Sequence, residues 1–121
     1  MIPSFLQLSG VTRAGRHEMI SRVREAILAG GGYVLDFHMF SNAAICINFE
    51  VPVGNIERLH SSLKETGLRL SRESHELLAR LRDELDELDE RAQAADAAGT
   101  LQITFIHDEP DLRIEVPPIP G

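Results

Sequence analysis

The chain has 121 residues, 43% of them hydrophobic, and a net charge of −7. That is enough apolar material for one packed domain and argues against disorder of the whole. No window approaches the twenty or so apolar residues of a membrane span, and the acidic balance disfavours a nucleic-acid partner, whose phosphates call for a basic face.

Met1-Ile2-Pro3-Ser4 lacks the basic region and apolar run of a signal peptide, so a cytoplasmic setting is expected. The single Cys46 excludes an internal disulfide and fits a reducing compartment. Phe5 to Val11 alternates as a first strand, with Leu6 and Leu8 toward a core. Met19, Ile20, Val23 and Ile27 then fall on one side of a helix over 16–29, which Gly30, Gly31 and Gly32 end. From Tyr33 the period becomes two. Tyr33, Leu35, Phe37 and Met39 share one face, and Ile45, Ile47, Phe49 and Val51 form a second strand after a turn near Ser41, Asn42 and Ala43. Matching apolar faces pairs Phe37 with Ile47 and Met39 with Ile45, which sets His38 opposite Cys46 and Asp36 opposite Asn48.

Asn55 caps a second helix carrying Ile56, Leu59 and Leu63, ended by Gly67, and Leu68 to Arg72 alternates as a short fourth strand. Two strand-helix-strand units around a central hairpin make a ferredoxin-like βαββαβ core over residues 1–73, both helices on one sheet face. From Ser74, Leu78, Leu81, Leu85, Leu88 and Ala92 recur at steps of three and four, predicting one long acidic helix over 74–98 that Gly99 ends. At 1.5 Å per residue it would be about 37 Å long. This segment carries a net −5, against +1 before it and −3 after it. Its leucines either pack on the domain or form a dimerisation arm, and its acidic run is a solvated surface. In the C-terminal segment 100–121, Leu101, Ile103 and Phe105 alternate as a strand, Asp108 to Asp111 supply a turn, and Leu112, Ile114 and Val116 alternate again before Pro117, Pro118 and Pro120. This predicts a strand or hairpin that extends the sheet or crosses to another subunit.

The run Gly10-Val11-Thr12-Arg13-Ala14-Gly15, then Met19-Ile20 and Val23, then Ala29-Gly30-Gly31-Gly32-Tyr33-Val34-Leu35-Asp36 resembles the ACT-domain family of small-molecule-sensing modules. The family's first strand ends in a loop often written Asp-Arg-Pro-Gly. Arg13 and Gly15 match it, while Thr12 stands where Asp is usual and Ala14 where Pro is usual. The resemblance covers roughly the first seventy residues and implies an α+β, ACT-like regulatory domain, acting as a homodimer and binding an amino acid at the first loop. Carried over by position, it implies contacts at Thr12, Arg13, Ala14 and Gly15, and at Asp36 on the second strand. No cofactor is implied.

Charge at the same loop points to an anion. Acidic side chains are usual at a helix N-terminus, yet Arg13, Arg16 and His17 stand here. Either Arg13 and Arg16 hold a carboxylate or phosphate with backbone N–H groups, or both are solvated and Thr12 or Gly15 merely shapes the turn. His38 and Cys46, with Asp36 and Glu50 beside them, supply two good metal ligands where a structural zinc wants four, so no metal is expected. His17, His60, His75 and His107 show no metal-binding spacing and read as surface residues. Elbow, Walker and dinucleotide motifs are all missing, which leaves Asp36 with His38 as the one acid–base pair an enzyme could use. The reading is therefore a sensory small-molecule-binding domain, with a structural interaction module and a small Asp36–His38 enzyme as the alternatives.

Overall fold

The computed structural model describes residues 5–41 and 43–106. The elements are β1 (Phe5–Thr12), α1 (Arg16–Ala29), β2 (Tyr33–Ser41), β3 (Ala44–Pro52), α2 (Ile56–Lys64), β4 (Arg69–Leu70), α3 (Arg72–Glu84), α4 (Glu90–Ala94) and β5 (Asp96–Phe105), with short 3-10 turns at Val53–Asn55 and Leu85–Glu87. Asn42, the turn expected at 108–111, the second arm at 112–116 and the prolines lie outside the described residues.

The protein is α+β, with one five-stranded sheet in the order β2-β3-β5-β1-β4. β5 runs parallel to β1 and antiparallel to β3. β2 is antiparallel to β3 and β4 to β1, so β2 and β1 point the same way with two strands between them. A split βαβ unit holds one strand there. The expected core over 1–73 is thus opened at its centre by a strand from the C-terminal segment. β5 buries Ala97, Leu101 and Ile103 completely, so it completes the sheet from within rather than extending its edge.

The core is a single layer between one sheet face and three helices. Leu6 and Leu8 from β1 and Ile45, Ile47, Phe49 and Val51 from β3 meet Met19, Val23 and Ile27 of α1, Leu59 and Leu63 of α2, and Leu78 and Leu81 of α3. The period-two and period-3.6 patterns both resolve onto this layer. The opposite sheet face carries Gln7, Ser9, Cys46, Asn48, Thr100 and Gln102, exposed or half-buried, and no described helix packs on it. Cys46 lies opposite His38 as expected. Partial burial, then the Asp36 carboxylate, push its thiol up from the ordinary value, so it stays protonated and a poor ligand.

The three glycines after α1 act differently. Gly31 N–H reaches Leu28 O and Gly32 N–H reaches Ile27 O, with Gly31 left-handed at φ +84°, a Schellman ending. At Gly30 a Cβ would meet the Leu59 backbone at 3.1 Å, so this glycine lets α1 and α2 approach.

The expected helix over 74–98 is corrected. α3 begins at Arg72, because Ser71 rather than Ser74 is its cap and accepts from Ser74 N–H. It ends at Glu84, and Leu88 is extended. Acidic residues crowd the end of α3, where the helix dipole disfavours them. Asp89 instead starts a new helix by accepting from Ala92 N–H. The Gln93 amide donates to the carbonyls of Leu85 and Leu88, satisfying acceptors that the break leaves open. Leu85 and Leu88 remain partly buried against the core, so the leucine spacing did report burial, but not one continuous rod. β4 shrinks from five expected residues to two. Beyond it α3 covers the flank of β1: Ser9 N–H donates to Ser74 Oγ and Ser71 N–H to Ser9 O.

His60, expected at the surface, is only 8% exposed. Its Nε2 lies 2.9 Å from Nδ1 of His75 on α3, a bond that requires one nitrogen to be unprotonated. Burial first, then the charges of Lys64, His75 and Arg82, lower its pKa. The unfolded chain therefore takes up the proton first as pH falls, and stability is lost below the ordinary histidine range. Urea midpoints should decline between about pH 7 and pH 5, and His60→Gln should flatten that decline. An equally steep profile in the variant would place the titration elsewhere.

Candidate functional site

A cleft of about 270 Å³ opens at the C-terminal end of β1, lined by Thr12, Arg13, Ala14, Met19, Arg22 and Arg69, with Val11, Gly67 and Ile106 completing its wall. Its place follows from topology. β1 and β5 are parallel, so both finish here, with Ile106 N–H bonded to Thr12 O. Clefts at the carboxyl ends of parallel strands are the usual place for ligands in open sheets.

The loop is built from its own residues. Thr12 is 5% exposed and its Oγ1 accepts from Ala14 N–H, so its hydroxyl shapes the turn. Gly15 is the N-cap of α1 in extended conformation, and no side chain caps the helix start. A Cβ at Gly15 would meet nothing within 4 Å, so this position leaves open space rather than filling a tight turn.

Three guanidiniums line the cleft. Arg22 donates to Thr66 O at 3.1 Å and pairs with Glu18, which fixes it and offsets its charge. Arg69 stands exposed on β4, and Arg13 lies on the loop. The apolar part of the lining comes from Met19, Ala14 and Ile106. Guanidinium donors beside an apolar wall are the chemistry that complements a small anion with a short apolar body.

Of the six expected contact residues, Thr12, Arg13 and Ala14 line this cleft, and Gly15 adjoins them. Arg16 turns away: its Nη1 lies 3.4 Å from Met39 Sδ on β2. Asp36 is on the open sheet face, where it accepts from Asn48 Nδ2 at 2.6 Å, so it does not share the cleft. Its oxygen is 3.5 Å from His38 Nε2, with both side chains more than half exposed. That pair lines none of the clefts described here. Among the described residues no group of three or more His, Cys, Asp or Glu side chains could hold a metal. Arg22 and Arg69 were not expected here. Arg22 sits one turn below Glu18 on α1, and Arg69 reaches the cleft only because β4 pairs with β1 through Val11, a long-range pairing that local spacing does not carry.

Two wider grooves of about 520 and 420 Å³ lie toward the open sheet face, lined by Ser9, Ser71 and Gln102 in common. The first adds Arg69 and Arg72 to these small polar side chains and the second adds Glu73, and neither holds a residue of the loop 12–14. No helix among the described residues is long and apolar enough to cross a membrane. No family model, curated protein or solved structure matches this chain, so the case for a function rests on the arginine-lined cleft.

Proposed function

We propose that this chain is a regulatory domain that binds a small carboxylate, an amino acid or another organic acid, in the cleft at the end of β1. One observation carries the reading: the loop of residues 12–14, singled out by its sequence, lines a cleft together with two further arginines from α1 and β4. A volume of about 270 Å³ suits a metabolite better than a nucleotide or other large cofactor, which need several hundred. The ACT-like resemblance agrees with the position of the site. An α-amino group, however, would find no carboxylate at Thr12, so a plain organic acid is the better fit. The α1 helix start, uncapped by any side chain, adds partial positive charge nearby.

Thermal-shift screening of amino acids and organic acids tests this. A ligand present at about a hundredfold over its Kd adds about 2.7 kcal/mol, on the order of 10 °C for a domain this size. Arg69→Ala and Arg13→Ala should each abolish most of the shift while leaving the unliganded midpoint nearly unchanged, because both side chains are exposed. A shift that survives both substitutions would place the ligand elsewhere, and no shift with any acid would leave the interaction-module reading.

A further inference from the structure

We propose that the protein pairs with a second copy of itself through β2, antiparallel, about a two-fold axis at Phe37. This goes beyond the ligand reading, since none of the cleft arginines lies on β2. The starting observation is an edge. β2 is nine residues long and, among the described residues, bonded to β3 on one side only. It shows Tyr33, Leu35, Phe37, Met39 and Phe40 at 44–64% exposure. Sheet edges are ordinarily protected by shortness, lysine, proline or a cover. The opposite edge meets that rule, with a two-residue β4 and α3 laid along β1. β2 has neither lysine nor proline, and its two irregularities, edge protections in themselves, flank the stretch from Asp36 to Met39 without interrupting it.

Register singles out one arrangement. Irregularities at Leu35 and Phe40 leave an even run from Asp36 to Met39. In a two-fold antiparallel pair the axis stands perpendicular to the sheet, and residues facing each other share a sheet face. The axis must therefore pass at a residue of this run. At Asp36 it sets two carboxylates against each other, and at His38 two imidazoles. At Met39 it drives the pairing into the irregularity at Phe40. At Phe37 it sets Asp36 opposite His38 of the second copy, twice, and stacks the two Phe37 rings on the helix side. The strand is complementary to itself in that register, a carboxylate acceptor facing an imidazole donor on both sides of the axis, and in no other of the run. Both side chains are more than half exposed; Asp36 Oδ1 already accepts from Asn48, so the pairing across the axis falls to its second oxygen.

Sedimentation analysis of the full chain between about 1 and 100 μM tests this. A dimer is expected. Phe37→Asp should leave monomer throughout with an unchanged circular dichroism spectrum. His38→Asp should weaken the dimer about tenfold, by turning two attractive pairs into repulsive ones, and adding Asp36→His to it should restore the affinity by exchanging the two roles. Monomer at the top concentration, or a dimer indifferent to Phe37→Asp, overturns the proposal, as does a double variant no better than His38→Asp alone. A dimer broken by Ile114→Asp and not by Phe37→Asp would give the edge to the C-terminal segment instead. Arg69→Ala should leave the dimer intact, so failure here and failure of the carboxylate site are separable.

Discussion

Phe49→Ala is expected to remove about 3–5 kcal/mol of stability, and Gly99→Ala about 1–3 kcal/mol, through one shared contact. Phe49 on β3 is paired directly with Gly99 on β5 and is 1% exposed. A Cβ at Gly99 would stand 2.6 Å from the ring Cζ and 3.1 Å or less from two more ring atoms. The ring occupies the volume that a side chain on β5 would need, and core neighbours on every other side prevent its retreat. Because a leucine at 49 gives back the space that a Cβ at 99 needs, the double variant Gly99→Ala with Phe49→Leu should be less damaged than the sum of Gly99→Ala alone and Phe49→Leu alone. A coupling of about 0.5–3 kcal/mol is expected, measured by urea unfolding of the four proteins. Strict additivity would mean that the glycine serves some other purpose.

Gly99 also shows where the sequence misleads. Read locally, a glycine after a leucine-spaced acidic run is a helix stop. In the fold it is the fourth residue of a central strand, and its missing side chain is a packing feature between β5 and β3. The partner that explains it lies fifty residues away, so no window around Gly99 contains the reason. The same limit applies to Arg69, brought to the cleft by β4 pairing with β1. What local spacing could carry, it carried: α1, the β2–β3 register from Asp36 to Met39, and the loop of residues 12–14 that lines the cleft. Tyr33 is an instructive exception. Alternation assigned it to the face of Phe37, but the irregularity at Leu35 shifts the phase, and the Tyr33 hydroxyl instead donates to Glu50 on the open face. That bond, with the Glu50 charge, raises its pKa. His60 is expected at the surface although the sequence carries the contrary signal: it shares one helical stripe with Ile56, Leu59 and Leu63, and all four are buried.

Gly32→Ala should cost more than Gly31→Ala, although Gly31 alone has the left-handed backbone. At Gly31 an added methyl brings about 1–2 kcal/mol of conformational strain and meets the Asn55 amide, a side chain that can swing aside. At Gly32 it would overlap the Glu50 carbonyl oxygen and press on the Val51 backbone. That stretch of β3 is held by Tyr33 on one side and by Ala97 and Ala98 on the other, so the obstacle cannot yield. The start of β2 must lift away from β3, and a loss of about 3 kcal/mol, the upper end for overpacking, is expected. The damage should be local in kind. Amide exchange should quicken over the first residues of β2 while the α1 amides from Met19 to Ala26 keep their protection relative to the global opening. Since β2 is the proposed pairing edge, Gly32→Ala should also weaken self-association, whereas Gly31→Ala should leave it unchanged at equal protein stability. If Gly31→Ala proves the costlier of the two, the turn rather than the close approach of β2 to β3 controls how this edge is set, and the geometry assumed for the dimer loses its support.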